Sequence, residues 1–231
     1  MKIDILTLFP SMFEGFLTNS IIKRAIATEK VKIRIINIRD YSKDPHKKVD
    51  DYGFGGGAGM VLRVDVLYDA IQALKREDTK VILMTPQGET FHQRQASTLT
   101  QHKHIILVCG HYEGFDERIL NFVDMEISIG DFILTGGEIP AMAITDSIVR
   151  LLDGVILKES RIKESFSDHL LDYPVYTKPK EFMGYPVPPV LLSGNHAEIE
   201  KFRQEKRVEK TRLKRPDLLE SGVVVDGKAN L

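Results

Sequence analysis

The sequence predicts an α/β fold: a mostly parallel sheet with helices on both faces, followed by a small, mainly helical C-terminal domain. Three observations predict it. Five apolar runs are continuous rather than alternating, as in strands covered on both sides. Stretches of helical periodicity separate them, and glycine-bearing turns follow three of the runs.

The first strand starts at Lys2 in "KIDILTLF", and helical spacing follows from Met12 to Thr28. The second strand is "VKIRIINI" from Val31. A helix over Val64 to Lys75 leads to the strand "KVILMTP" from Lys80, and one over Arg94 to Gln101 leads to "HIILVCG" from His104. The last run, "MEISIGDFIL" from Met125, precedes a helix over Pro140 to Leu152, where proline suits the first turn because its missing N–H costs nothing there. Together these make a first domain, residues 1–156. The polar stretch "ILKESRIKESFSDH" then reads as a flexible linker over 157–169. In the C-terminal domain, 170–231, five prolines between Tyr173 and His196 exclude long regular elements before a helix from Ala197 to Lys214.

The 231 residues carry 32 basic and 33 acidic side chains, a net charge of −1, so affinity for nucleic acid has to come from placement. Lys201 to Arg215 supplies it, with eight basic and two acidic residues. Arg203, Arg207, Lys210 and Lys214 share one helical face, which suits a phosphate backbone; a solvated face is the plainer alternative. No run approaches the roughly 20 apolar residues of a membrane span, so a cytoplasmic protein without membrane contact is expected. Cys109 is the only cysteine, which rules out an intramolecular disulfide, and no zinc-ligand spacing is present, so no structural metal is expected. Cys109 itself reads as a small packed residue.

The glycine turns are "TPQG" at 85–88, "CGHYEG" at 109–114 and "SIGDFILTGG" at 128–137. Ligands in parallel α/β sheets bind beyond the carboxyl ends of strands, and glycine there allows close backbone approach. Such folds also need glycine simply to turn. "DDYGFGGGAGM" at 50–60 has neither the ending of a P-loop nor the strand that must precede a dinucleotide fingerprint. It reads either as a flexible surface loop able to meet a nucleic-acid backbone or as a tight irregular connection. In "CGHYEGFDER", His111 and Glu113 form a candidate acid/base pair, or the charges only offset a helix dipole.

Taken together, "DDYGFGGGAGM", "TPQG", "CGHYEGFDER", "EISIGDFILTGGEIPAM", "LLDYPVYTKP" and "PPVLLSGNHAEI" resemble the bacterial tRNA (guanine-N1)-methyltransferases, the TrmD-type members of the SPOUT class. The resemblance implies a deep C-terminal trefoil knot in the first domain, a homodimer whose sites combine the knot of one subunit with the C-terminal domain of the other, and tRNA rather than DNA as partner. It implies methyl transfer from S-adenosyl-L-methionine to N1 of guanosine 37, next to the anticodon, in tRNAs where a guanosine (G36) precedes it, and leaves a Mg2+ requirement open. In the knot, Ser128, Ile129, Gly130, Phe132 and Leu134 would hold the donor, with Gly136, Gly137 and Pro140. Leu83, Met84, Thr85 and Pro86 would complete the pocket, along with Gly110, Tyr112 and Glu113, the last suited to ribose hydroxyls.

Guanine N1 carries a proton near neutral pH, so transfer needs a base. The family places an aspartate immediately before the Ser-Phe pair of the linker; this sequence has Glu164 there, a departure that makes Asp168 the alternative. Arg150 matches an arginine expected to polarise guanine O6. Gly55, Gly56 and Gly57 are expected near the target nucleotide or the anticodon stem, and Asn195, His196, Arg203, Arg207, Lys210 and Lys214 on the tRNA. A catalytically weak or inactive RNA-binding protein of the same fold is the alternative that the change at 164 allows. A dinucleotide enzyme is the third reading.

Overall fold

The first unit, Met1–Leu157, runs through β1 (Lys2–Thr7), α1 (Glu14–Thr18), α2 (Ser20–Ala27), β2 (Lys32–Asn37), β3 (Asp50–Tyr52), β4 (Met60–Leu62) and α3 (Val64–Leu74). It continues through β5 (Thr79–Thr90), α4 (Gln93–Leu99), β6 (His104–Cys109), β7 (Met125–Ser128) and α5 (Glu138–Val149). The second unit, Lys158–Leu231, contains a two-stranded ribbon, β8 (Glu181–Phe182) and β9 (Tyr185–Pro186), then α6 (His196–Lys214) and α7 (Asp217–Val223). This computed structural model describes residues 1–158 and 164–223. Residues 159–163 of the expected linker, and 224–231 of the expected C-terminal domain, lie outside the described residues.

The main sheet has the order β2-β1-β6-β5-β7, and all its pairings are parallel. Central β6 explains why the run was continuous: Ile105, Leu107 and Cys109 join one buried cluster, while Ile106 and Val108 join the other. On the first face lie residues of α2, α4 and α5, among them Ile22, Leu99, Ala141, Ile144 and Ile148; on the second lies α3, through Val66, Leu67, Ala70 and Ile71. Each fully buried Leu or Ile contributes on the order of 2–3 kcal/mol by leaving water, so the two layers carry most of the fold's driving force.

Several elements depart from the sequence expectation. The helix expected over 12–28 is broken at Asn19, whose backbone is extended (φ −127°, ψ 159°). Thr18 donates its hydroxyl to the Glu14 carbonyl and Asn19 its amide to the Gly15 carbonyl, so side chains take over the last backbone acceptors of α1. The glycine-rich segment is no free loop: β3 and β4 pair antiparallel, Asp50 opposite Leu62 and Tyr52 opposite Met60, and hold 53–59 between them. The last strand stops at Ser128 instead of continuing to Leu134, because the Gly130 amide turns back onto the Ser128 hydroxyl and Gly130 adopts φ +144°. Ile133 is consequently 80% exposed despite its place in an apolar run. β5 also differs, leaving the sheet after Met84 and rejoining it at Glu89, with both residues facing Ile127 of β7.

Candidate functional site

The excursion of β5, the turn after β6 and the segment after β7 emerge at the same end of the sheet, where parallel strands present their carboxyl ends. There they enclose a cavity of about 350 Å³. It is lined by Leu83 and Met84, where β5 leaves the sheet, by 85–87, 110–115, 126–130 and 132–137, and by Pro140 of α5. Every residue expected to hold the methyl donor lines this one cavity, from Thr85 and Pro86 through Gly110, Tyr112 and Glu113 to Ser128, Ile129, Gly130, Phe132, Leu134, Gly136 and Gly137.

The glycines have a reason the sequence reading only half identified. A Cβ on Gly137 would stand 2.7 Å from the Cys109 Cα and from the Gly110 nitrogen, and one on Gly136 would stand 2.9 Å from His111 Nδ1. The Gly137 amide donates to the Gly110 carbonyl at 2.8 Å, and His111 bridges to Gly136. Two strand-end segments therefore cross in main-chain contact, and glycine is needed for the protein to approach itself before any ligand arrives.

Charge is placed around this crossing. Glu138 opens α5, is buried, and accepts the Thr7 hydroxyl at 2.7 Å. Burial, reinforced by the neighbouring Glu138 charge, pushes the Cys109 thiol well above its ordinary range, which keeps it an unreactive packing residue. His111 lies edge-on to Phe9, with ring centroids 4.9 Å apart, and its buried Nδ1 has no hydrogen-bond partner among the described residues. An orphaned buried nitrogen on a cavity wall is a point of attachment for a polar ligand. His111, Gln87 and Phe115 line the cavity without having been expected there. Gln87 lay inside a quoted motif, and Phe115 could have been found only from its ring under Gly110.

The remaining candidates lie elsewhere. Arg150 caps the carboxyl end of α5, its amide bonded to the Asp146 carbonyl. Twelve residues of helix separate it from Glu138, a rise of about 18 Å, so it stands at the opposite end of α5 from the cavity. Gly55, Gly56 and Gly57 sit at the tip between β3 and β4, exposed and with left-handed φ values of 88°, 81° and 121°. Phe54 beside them is fully exposed.

In the second unit, Asn195 caps α6 by accepting the Glu198 amide, with His196 the first residue of the helix. The basic face of α6 is not the open surface expected. Arg207 is only 3% exposed and holds both oxygens of Asp168, its Nη1 at 2.8 Å. Lys210 donates to the Asp172 carbonyl at 3.1 Å, and the Arg203 guanidinium lies 4.7 Å from the centroid of the Tyr173 ring. Of the four cations on that face Lys214 remains exposed. The correction has a physical cause: a helix face rich in donors packs on a segment rich in carbonyls and carboxylate before it can meet a phosphate. The Arg207 guanidinium also holds the Asp168 carboxyl below the usual carboxylate range. Glu164 is half-buried in the same segment, its carbonyl accepting the Ser167 amide at 3.2 Å.

Among the described residues no helix is long and apolar enough to cross a membrane, and no group of three or more His, Cys, Asp or Glu is placed to hold a metal ion.

Residues 1–221 match the family model described as tRNA (Guanine-1)-methyltransferase TrmD. The tRNA (guanine-N(1)-)-methyltransferase of Malacoplasma penetrans (strain HF-2) is 57% identical over 218 residues, 94% of this chain and 96% of that protein. The protein of that name from Caldanaerobacter subterraneus subsp. tengcongensis is 54% identical over 233 residues, covering 100% and 94%. The one from Halalkalibacterium halodurans is 52% identical over 236 residues, covering 100% and 96%. With the family model spanning nearly the whole sequence and such relatives matching end to end, the chain belongs to the TrmD family of tRNA (guanine-1)-methyltransferases.

Proposed function

We propose that this protein transfers the methyl group of S-adenosyl-L-methionine to N1 of guanosine 37 in tRNA, beside the anticodon, and that it works as a homodimer in the cytoplasm. The observation that carries this reading is the convergence of all the expected donor-binding residues on one cavity of about 350 Å³, within the roughly 300–1,000 Å³ of small-molecule sites. The residues suit the donor: Leu83, Ile129, Leu134 and Pro140 offer apolar surface to a purine, Glu113 offers acceptors to ribose hydroxyls, and His111 Nδ1 offers a nitrogen in want of a partner. We read the crossing of 109–111 with 136–137 as part of a trefoil knot.

S-adenosyl-L-methionine, when bound, supplies an electrophilic sulfonium methyl. The protein's task is to hold guanine and remove its N1 proton. Glu164 is the base in this reading. Asp168 is a poorer candidate because its two oxygens are engaged by Arg207 and its affinity for a proton is reduced. Arg150 polarises guanine O6 and balances negative charge as the proton leaves. Arg150 lies about 18 Å along α5 from its cavity end, and in this reading a second copy completes the set. The exposed cations of α6, Lys214 with Lys201 and Arg212, take the tRNA backbone, while Asn195 and His196 supply contacts at the start of the helix.

Glu164→Gln and Asp168→Asn, assayed separately under single-turnover conditions with labelled donor and tRNA carrying G36 and G37, test the assignment. We expect Glu164→Gln to lower the rate by about 100- to 10,000-fold, the usual span of acid–base catalysis, with donor affinity unchanged. Full rate in Glu164→Gln would exclude it as the base.

A further inference from the structure

The inward-turned face of α6 has a more specific consequence, which rests on Glu164 being the base. Residues 168–173 are fastened to that face at successive turns. Arg207 grips Asp168 with two nitrogens and reaches the Leu171 carbonyl through Nε at 3.3 Å. Thr211, fully buried, accepts the Leu171 amide at 2.9 Å and donates to the Arg207 carbonyl at 2.7 Å. Lys210 holds the Asp172 carbonyl one residue on. The fastened segment is also tied to the residues before it, through Asp172 amide to Ser165 hydroxyl at 2.9 Å and Phe166 amide to Leu170 carbonyl at 2.9 Å. Glu164 stands at the start of this hydrogen-bonded turn, its carbonyl bonded to Ser167, the neighbour of Asp168.

We propose that Arg207 is a positioning residue for the methyl transfer: its two-pronged hold on Asp168, backed by Thr211 and Lys210 on the main chain of Leu171 and Asp172, fixes the segment that presents the Glu164 carboxylate. A planar guanidinium sets direction as well as distance, which a lysine in its place would not. A carboxylate on a slack tether loses effective concentration at the proton it must remove, and a misplacement of about 1 Å costs on the order of 100-fold in rate. The same burial removes Arg207 from the set of residues free to meet a phosphate.

The test compares Arg207→Met, Asp168→Asn and the double variant in the full chain. Each single variant is expected to lower the single-turnover rate about 10- to 100-fold at saturating donor and tRNA. The double variant should be no slower than Arg207→Met, because that change already removes the contact with Asp168 together with the bond to the Leu171 carbonyl. The equilibrium affinity for tRNA, and its slope with salt, should stay within twofold of wild type. In hydrogen exchange, amides of 165–173 should exchange at least tenfold faster in the variants, while those in the middle of α6 remain protected. Asp168 is half exposed, so Asp168→Asn probes the contact from its tolerant side should Arg207→Met not fold.

A wild-type rate in either single variant, multiplicative losses in the double, or a weakened tRNA affinity with a shallower salt slope would overturn the proposal. The last pattern would make Arg207 a phosphate contact. Full rate in Glu164→Gln would overturn the base assignment and this inference with it. An inactive Glu164→Gln beside a fully active Arg207→Met would overturn the positioning role alone.

Discussion

At the scale of single residues, the site depends on atoms that are absent. Gly137 lies where any Cβ would meet the Cys109 Cα and the Gly110 nitrogen at 2.7 Å. Those are main-chain atoms inside a paired crossing and cannot swing aside as a flexible side chain would. Gly137→Ala is therefore expected to push apart the two segments that wall the cavity, lowering donor affinity at least tenfold in calorimetry and destabilising the fold by about 1–3 kcal/mol, as overpacking does. Gly15, with open space around its Cβ position and ordinary φ, is the control: Gly15→Ala should leave donor affinity unaltered. An unchanged affinity in Gly137→Ala would mean that the crossing is looser than its contacts imply.

At the scale of elements, the end of the sheet opposite the cavity is pinned by charge. Asp4 of β1 is fully buried and accepts from Arg34 of β2 at 2.7 and 2.6 Å, from Lys2 at 2.9 Å and from His104 of β6 at 2.9 Å, and His104 Nδ1 meets Thr79 of β5 at 2.7 Å. Burial works to raise the Asp4 pKa, but the bonds from Arg34, Lys2 and His104 together hold it below the ordinary value. For His104 burial lowers the pKa and outweighs the pull of Asp4 in the other direction. Both folded values lie below the unfolded ones, so the unfolded chain binds protons first and stability falls as pH falls. The histidine contribution is intact above about pH 6.5 and is lost on acidification below it, while the aspartate contribution is lost only below about pH 4. Melting temperature should thus drop between pH 7 and pH 5, and His104→Gln should show a smaller drop. An equal drop in both would remove His104 from the account.

The elements also show what could be read in advance. The parallel sheet was legible because strands buried on both faces read as continuous apolar runs, as β6 does from Ile105 to Cys109. The cavity was legible because glycines cluster at strand ends. The β3–β4 pair was not, since three-residue strands are too short for any period to register. Nor was the end of β7 at Ser128, because the residues after it stay apolar while serving as a wall of the cavity. The inward turn of the α6 face escaped for a different reason: helical spacing says which cations share a face, but only the tertiary structure says what that face meets.

At the scale of the whole molecule, a chain of net charge −1 must bind a polyanion through local excess. With Arg207 engaged, that excess rests on the exposed cations of α6, and each phosphate contact should contribute about 0.7–0.9 to the slope of log affinity against log salt. The family gives the substrate class; in the proposed reading the cavity, which lies in the first unit, takes the donor, and Glu164, which lies in the second, is the base.

The most direct test of the proposed reaction is to locate the methyl group. Purified protein is incubated with isotopically labelled S-adenosyl-L-methionine and an unmodified tRNA transcript bearing G36 and G37, and the product is digested with nuclease and analysed by mass spectrometry. The expected result is N1-methylguanosine at position 37, one label per tRNA, abolished when G37 is replaced by adenosine. Label at another nucleotide or another guanine atom, or an unlabelled transcript with donor bound to the protein, would contradict it.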